Sequence, residues 1–183
     1  MEEHEEKWLN GQGADMLRNL GVKESDCVVD FGCGKGRYTI PASQIVGKDG
    51  MVFAVERHAN ELDALNERLT KFSSNESVKI LNTETLHLDS ISDASVDAVF
   101  TFDVLQYIDD YDTLFESVKR VLKPNGSIFV YPAGVPHPGD VDMESIIEIM
   151  KRLGMKLATK TEYRMMHNKF MVDDIIYTFK FDL

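Results

Sequence analysis

A short apolar run leads directly into a cluster of glycines, and this pattern restricts the fold more than any other part of the chain. Residues 28–31 read Val-Val-Asp-Phe, and glycines follow at positions 32, 34 and 36. A buried strand that ends in glycines is typical of an open parallel sheet, in which the backbone approaches a ligand at the carboxyl end of a strand. The alternative is a tight strand-to-helix turn that binds nothing.

The spacing of these glycines argues against two nucleotide-binding motifs. The dinucleotide-binding pattern Gly-x-Gly-x-x-Gly needs its third glycine at position 37, where Arg37 stands. A phosphate-binding P-loop needs Ser or Thr after Lys35, but Gly36 follows it. The pattern therefore disfavours a nicotinamide-dependent dehydrogenase and excludes a P-loop enzyme.

Length and composition predict one globular domain that covers residues 1–183. Hydrophobic residues make up 43% of the chain and charged residues 28%, which is ordinary for a folded domain. No apolar run approaches the roughly 20 residues that span a bilayer. The first residues, Met-Glu-Glu-His-Glu-Glu, are acidic, unlike a secretory signal. We expect a cytoplasmic protein with no membrane partner.

The charge and the cysteines exclude further classes. A net charge of −11 repels phosphate backbones, so no nucleic-acid partner is expected. Cys27 and Cys33 are the only cysteines, and on an extended strand they would lie about 20 Å apart, beyond disulfide reach. They suit a reducing compartment, and two cysteines are too few for a structural zinc site. We expect no bound metal.

Along most of the chain, short apolar runs alternate with segments in which apolar residues recur at helical spacing. The tail, in contrast, alternates apolar and polar residues at 155–163 and 174–181, as antiparallel strands do. We therefore predict an α/β fold: a doubly wound, mostly parallel seven-stranded sheet with helices on both faces and a C-terminal antiparallel hairpin. The predicted strands before the tail are 27–31, 51–55, 78–81, 96–102 and 127–131, and the predicted helices are 9–20, 37–46, 62–72, 114–122 and 143–153.

Further features follow the glycines in a fixed order. Glu56 ends the second apolar strand, Asn-Thr-Glu-Thr follows the third strand at 82–85, and Thr101 lies in the fourth strand. The run Leu-Lys-Pro-Asn-Gly-Ser-Ile at 122–128 leads into the fifth strand. Together, over about residues 24–131, these features resemble the class I S-adenosylmethionine-dependent methyltransferases. The resemblance implies their Rossmann-like fold and S-adenosylmethionine as the cofactor.

The resemblance also assigns roles to individual residues. Asp30 orients the glycine loop and helps to hold the amino-acid end of the cofactor, and the glycines pack against its methionine and ribose parts. Glu56 bonds the two ribose hydroxyls, because a carboxylate can accept two O–H bonds at once. Glu84 lies near the adenine, or is only a solvated loop acid. The implied cofactor site comprises Asp30, Gly32, Cys33, Gly34, Gly36, Glu56, Arg57, Glu84, Thr85 and Thr101.

Within this single domain the resemblance predicts three parts. Residues 1–22 form an N-terminal helical segment, residues 24–131 the cofactor-binding core, and residues 132–183 the last helix and the hairpin. Trp8 and Leu9 in the first part either fold over the cofactor or pack on the sheet. The hairpin carries a group of apolar side chains that either shapes an apolar substrate site or belongs to the core: Met165, Met166, Phe170 and Met171.

Departures from the family pattern argue against several classes of methyl acceptor. The Asn/Asp-Pro-Pro-Tyr motif of many enzymes that methylate amino groups is absent, since Asp-Val-Leu-Gln stands at 103–106. No cysteine-rich acceptor site is present, which argues against arsenite and metal-thiolate substrates. Only a short segment separates strand five from the next helix, which predicts an open acceptor site or one completed by a second subunit in a homodimer.

The expected reaction is an in-line displacement at a sulfonium methyl group. The sulfonium is already a good leaving group, so alignment and removal of water are the main tasks and a base is optional. No catalytic residue can be assigned from the pattern. The weak candidates for a base are Tyr107, Tyr111 and His137, with His87 and His167 weaker still. Asp103 is either a substrate ligand or a cap on the next helix.

The leading hypothesis is an S-adenosylmethionine-dependent methyltransferase that acts on a small molecule, with oxygen or carbon as the preferred acceptor atom. The first alternative is a protein methyltransferase. The second is a methyltransferase-fold binding or regulatory subunit without turnover. A carboxylate at each of positions 30, 56 and 84 argues against a degenerate site, but it does not identify the acceptor.

Overall fold

The computed structural model describes residues 3–72, 75–132 and 141–182. Within these ranges, five parallel strands are joined by helices, except that a loop joins the third strand to the fourth, and two antiparallel strands follow. The strands are β1 (Cys27–Phe31), β2 (Met51–Glu56), β3 (Val78–Asn82), β4 (Val96–Phe102), β5 (Leu122–Tyr131), β6 (Met155–His167) and β7 (Phe170–Phe181). The helices are α1 (Glu3–Lys7), α2 (Gly13–Leu20), α3 (Thr39–Val46), α4 (Ala59–Phe72), α5 (Tyr111–Val121) and α6 (Met143–Arg152).

The seven strands form one sheet in the order β3-β2-β1-β4-β5-β7-β6. Strands β1 to β5 are parallel, and β7 pairs antiparallel with both β5 and β6. The predicted fold is confirmed. In this order β1 and β4 are neighbours, so the strand order reverses between them, and a crevice opens beyond their carboxyl ends.

Two hydrophobic cores lie on opposite faces of the sheet because successive residues of a buried strand point to opposite sides. Val28 joins the core that contains Leu17 of α2, Ile40 of α3 and Leu65 of α4. Its neighbour Val29 joins the core beneath α5 and α6. The continuous apolar character of β1 follows from this two-sided burial.

Several predicted boundaries differ from the observed ones, and the differences in α3, β5 and the hairpin have clear structural reasons. Helix α3 begins at Thr39, because residues 34–38 form turns that carry the glycine loop away from β1. Strand β5 begins at Leu122, since a bulge lies between the pairs Val96–Leu122 and Ala98–Ser127. The hairpin arms run on to His167 and Phe170, because Met165, Met166 and His167 are buried. No alternating apolar pattern in the sequence marks this extension.

Trp8 lies in the core rather than over the crevice. Its side chain is fully buried, its indole Nε1 donates a 2.8 Å hydrogen bond to the carbonyl oxygen of Arg37, and its ring meets Tyr38 edge-on at 5.5 Å. Trp8 belongs to a wide helical turn, Trp8–Gln12, that joins α1 to α2 and contains a kink at Gly11. Packing on the core, one of the two expected roles, is confirmed.

No helix in the described parts of the chain is long and apolar enough to cross a membrane.

We predict that Trp8 stabilises the glycine loop through both its hydrogen bond and its volume. Trp8→Phe should lower the free energy of unfolding by about 1–3 kcal/mol, because the partly buried Arg37 carbonyl loses its donor. Trp8→Ala should cost about 3–5 kcal/mol, because it also leaves a cavity. Urea denaturation measures both, with the exposed Phe170→Ala as a control that should change stability by about 0.5 kcal/mol or less. Equal costs for the two Trp8 variants would contradict the separate contribution of volume.

Candidate active site

A cavity of about 570 Å³ opens at the carboxyl ends of the parallel strands, in the size range of small-molecule sites. Segments that follow β1, β2, β3 and β4 line it, together with the turn of the β6–β7 hairpin. Of the expected cofactor residues, the structure brings seven to the cavity wall: Gly32, Cys33, Gly34, Glu56, Arg57, Glu84 and Thr85.

Gly34 exposes its backbone to this cavity. Its φ is +50°, and a Cβ added there would meet only Glu61 Oε2, at 3.8 Å. The other two glycines serve close packing within the protein. A Cβ on Gly32 would lie 2.3 Å from Val104, and one on Gly36 would lie 2.3 Å from Leu65. Gly36 does not line the cavity, so the structure places it against α4 and not beside a ligand.

The Glu56 carboxylate, at the end of β2, is hydrogen-bonded to the glycine loop. Its Oε2 accepts a 3.1 Å hydrogen bond from the backbone N–H of Gly34. Its Oε1 accepts hydrogen bonds from the backbone N–H groups of Arg57 and His58 and lies 2.8 Å from Nδ1 of His58. A carboxylate oxygen has two lone pairs, so Oε2 keeps one acceptor position for a ligand.

Hydrogen bonding decides the charge state of Glu56. Burial raises the pKa of this carboxyl, but the hydrogen bonds from the His58 backbone and ring, Gly34 and Arg57 outweigh it, and the pKa of Glu56 is lowered. The group is therefore ionised at neutral pH and accepts hydrogen bonds with full charge. His58 was not predicted from the sequence; its position directly after the strand-ending acid was the available signal.

Asp30 is buried behind the loop and does not line the cavity. Its Oδ2 accepts a 2.6 Å hydrogen bond from the hydroxyl of Thr39, the first residue of α3. Burial raises the pKa of Asp30 to about 6, although the bonds from Thr39 lower it in part. Asp30 therefore supports the glycine loop indirectly, because its hydrogen bond with Thr39 connects β1 to the beginning of α3.

Cys33 lines the cavity as a thiol. Burial, and then the nearby Asp30 and Glu56 carboxylates, raise the pKa of Cys33 well above its ordinary value. Only the thiolate is a strong nucleophile, so this side chain is not activated for covalent catalysis.

The remaining expected cofactor residues lie in two different places, at the cavity wall and inside the sheet. Glu84 and Thr85 are exposed at the cavity wall beyond β3, and the Thr85 N–H donates to the hydroxyl of Thr83 at 3.1 Å. Thr101 is fully buried in the sheet, and its hydroxyl lies 3.5 Å from the carbonyl oxygen of Phe129. Thr101 does not line the cavity; its neighbours Phe102 and Asp103 do.

The weak catalytic candidates lie in different environments. Tyr107 lines the cavity and is 64% exposed. Tyr111 lies away from it and donates its hydroxyl to the Leu105 carbonyl at 3.1 Å, while burial raises the pKa of this phenol. His87 lines a different, shallower depression beside β3. His137 lies outside the described residues.

Asp103 lines the cavity at the end of β4 in a left-handed backbone conformation with φ of +54°. Its Oδ1 accepts a 2.8 Å hydrogen bond from Nε2 of Gln106, and its Oδ2 lies 3.1 Å from Nδ1 of His167. Of the two expected roles, Asp103 does not cap the next α-helix, because α5 begins at Tyr111 and is capped by Asp110. The role of substrate ligand stays a prediction.

Arg37 and Asn168 also line the cavity, although the sequence pattern did not single them out as site residues. The guanidinium of Arg37 lies 3.2 Å from the buried Glu5 carboxylate, which also pairs with Arg68 at 3.0 Å. Met166 reaches the cavity from the hairpin, whereas Met165 is buried and Phe170 is 67% exposed. The described residues contain no group of three side chains suited to holding a metal ion.

Comparison with known proteins agrees with this geometry. A family model described as "Methyltransferase domain" matches residues 29–130. A demethylmenaquinone methyltransferase of Staphylococcus aureus strain JH9 is 30% identical over 121 residues, which make up 66% of this chain and 48% of that protein. A demethylmenaquinone methyltransferase of Lactobacillus johnsonii is 27% identical over 127 residues, or 69% and 52% of the two chains. The chain spans about half the length of these curated relatives.

A solved structure extends the likeness in fold to almost the whole chain. The crystal structure of an S-adenosylmethionine-dependent methyltransferase from Aquifex aeolicus matches with a TM-score of 0.73, covering 94% of this chain and 92% of that one. The two sequences are 21% identical, so this match concerns the fold.

We predict that Asp30 makes stability depend on pH. Its pKa in the folded protein is about 6, above the ordinary value of 3.8, so its protonated form favours folding. This contribution is present below pH 3.8 and is lost as the pH rises through 6. Urea denaturation at a series of pH values should show wild type losing about 2 kcal/mol relative to Asp30→Asn between pH 4 and pH 7. A difference that stays constant over this range would contradict the buried, protonated carboxyl.

Proposed function

Since the chain belongs to the class I S-adenosylmethionine-dependent methyltransferase family, we propose that it transfers the sulfonium methyl group of this cofactor to a small molecule. The observation that carries the proposal is the ionised Glu56 carboxylate, held against the open backbone of Gly34 at the edge of the cavity. A charged hydrogen-bond acceptor beside exposed backbone suits a ligand that carries hydroxyl groups together with the amino and carboxyl groups of an amino acid.

Each part of the cavity has a proposed task in holding the cofactor. Glu56 accepts a hydrogen bond from one ribose hydroxyl through Oε2. A second ribose hydroxyl would take the place of the His58 ring beside Oε1. Gly34 lets the backbone approach the methionine part. Glu84 and Thr85, which line the cavity beyond β3, have the proposed task of flanking the adenine. The proposed task of Asp30 is to support the loop through its hydrogen bond with Thr39.

The bound cofactor supplies an electrophilic methyl group on a positively charged sulfur. The protein aligns an acceptor opposite the carbon–sulfur bond and excludes water from the path. Alignment of this kind needs rigid walls, and Leu105 and Met165, the chain neighbours of the cavity residues Val104 and Met166, are fully buried.

We propose an apolar ring compound as the acceptor, methylated on oxygen or carbon. Phe102, Val104, Ile108 and Met166 make one wall of the cavity apolar. The two curated relatives are named for demethylmenaquinone, an apolar ring compound, which supports this class. The homodimer, the cytoplasmic location and the absence of a nucleic-acid partner stay predictions from the sequence.

We predict that the protein binds S-adenosylhomocysteine, the product of the reaction, and that Glu56 contributes strongly to its affinity. Glu56→Ala should weaken binding by about 2–4 kcal/mol, since charge-assisted hydrogen bonds are lost. Glu56→Gln should lose less, because one carbonyl oxygen remains as an acceptor. Isothermal titration calorimetry measures all three proteins.

The matched control is Glu67→Ala, which removes an exposed carboxylate from α4 away from the cavity. Its affinity should equal that of wild type. Wild-type protein that binds no S-adenosylhomocysteine would refute the proposed enzyme, and unchanged affinity in Glu56→Ala would refute the role of Glu56.

A further inference from the structure

Asp103 and His167 come together from distant parts of the chain at one corner of the cavity. Asp103 follows β4, and His167 ends β6 at the turn of the hairpin. The backbone N–H of Asp103 donates to the carbonyl oxygen of Tyr131 at 3.0 Å, which fixes the sharp turn after β4. A left-handed conformation is uncommon outside glycine and costs energy, so its occurrence at a cavity residue is a sign of a functional constraint.

His167 is buried and incompletely hydrogen-bonded. Its side chain is 9% exposed, and its ring meets Tyr131 edge-on at 6.1 Å. Nδ1 lies 3.1 Å from Asp103 Oδ2 but is not aligned with any described acceptor as in a hydrogen bond. Such contacts in a ligand-free active site commonly tighten when the substrate binds.

Asn168 determines which ring nitrogen of His167 carries the proton. The Asn168 amide nitrogen lies 3.0 Å from Nε2 of His167. An amide N–H only donates, so in this arrangement Nε2 accepts and Nδ1 carries the ring proton towards Asp103. The Asp103 carboxylate therefore accepts a hydrogen bond from Gln106 on Oδ1 and has the Nδ1–H of His167 within 3.1 Å of Oδ2, with lone pairs left for a ligand in the cavity.

We propose that the Asp103 carboxylate accepts the hydroxyl proton of a hydroxylated aromatic acceptor, and that His167 is the positioning residue that holds this carboxylate. The inference rests on the proposed methyl transfer and names the acceptor class for the same site. Asp103 stands beside the apolar and aromatic wall made by Phe102, Val104 and Tyr107. An aromatic ring would lie on that wall with its hydroxyl group against the carboxylate.

The proposed step balances in protons and electrons. The O–H bond of the acceptor breaks, and its proton moves to a carboxylate oxygen of Asp103. The electron pair of the oxygen, or of a ring carbon conjugated with it, forms the new bond to the methyl carbon. The carbon–sulfur bond breaks, and its electron pair stays on sulfur, which becomes neutral. The step as written needs no external oxidant.

The test uses naphthalene-1,4-diol, kept reduced, as the acceptor and S-adenosylmethionine with a labelled methyl group as the donor. Wild type should methylate the diol. Asp103→Asn should reduce kcat on the order of 100-fold, the usual contribution of a general base. Its KM for the diol and its affinity for S-adenosylhomocysteine should stay within about threefold of wild type, because the amide still accepts a hydrogen bond but takes up no proton.

Two substitutions separate positioning by His167 from simple packing. In His167→Asn the amide nitrogen takes the place of Nδ1 and can still donate to Asp103, whereas His167→Leu fills the space without a donor. The Asn variant should retain several times the kcat of the Leu variant. The matched control is Asp109→Asn, an exposed carboxylate that does not line the cavity and whose loss should leave kcat unchanged.

The outcomes distinguish this inference from the proposed function. Wild type that binds S-adenosylhomocysteine but does not methylate the diol would overturn the acceptor class and the role of Asp103. Wild-type kcat in Asp103→Asn would overturn its role as the proton acceptor, and equal kcat in the two His167 variants would overturn the positioning role. A failure of wild type to bind S-adenosylhomocysteine would instead refute the methyltransferase itself.

Discussion

The rest of the site depends on one hydrogen bond, which the Gly34 N–H donates to the Glu56 carboxylate. It ties the loop after β1 to the end of β2, the neighbouring parallel strand. The same carboxylate organises the next turn by accepting from Arg57 and His58. Because several donors stabilise its charge, Glu56 remains ionised although it is partly buried. One side chain thus fixes the loop geometry and presents a charged acceptor to a ligand.

The N-terminal segment also supports this loop through contacts with Arg37. Trp8 bonds the Arg37 carbonyl, and Glu5 pairs with both Arg37 and Arg68. Glu5 is buried, so its two cationic partners compensate a charge that would otherwise be costly. Asp30 adds a third support through Thr39. The loop that faces the ligand is consequently held by the first helices, by α3 and by α4.

Periodicity and motif spacing predicted much of this arrangement. The five parallel strands, the acid at the end of β2 and the glycine loop could be assigned because each depends on neighbouring residues in the chain. The positions of Gly36 and Thr101 could not. The sequence shows that a glycine is present but not which neighbour requires it, and Gly36 faces Leu65 of α4. Likewise, a small polar residue in a buried strand can face either side, and Thr101 lies within the sheet.

By itself the sequence determined the fold, the place of the crevice and seven of the residues that line it, because alternating apolar runs and a strand-ending glycine loop are local signals. Only the tertiary structure brought His167 to Asp103. These residues lie far apart in the chain, and the antiparallel pairing of β7 with β5 carries the hairpin turn to the end of β4. A contact of this kind depends on strand order and register, which no short stretch of sequence encodes.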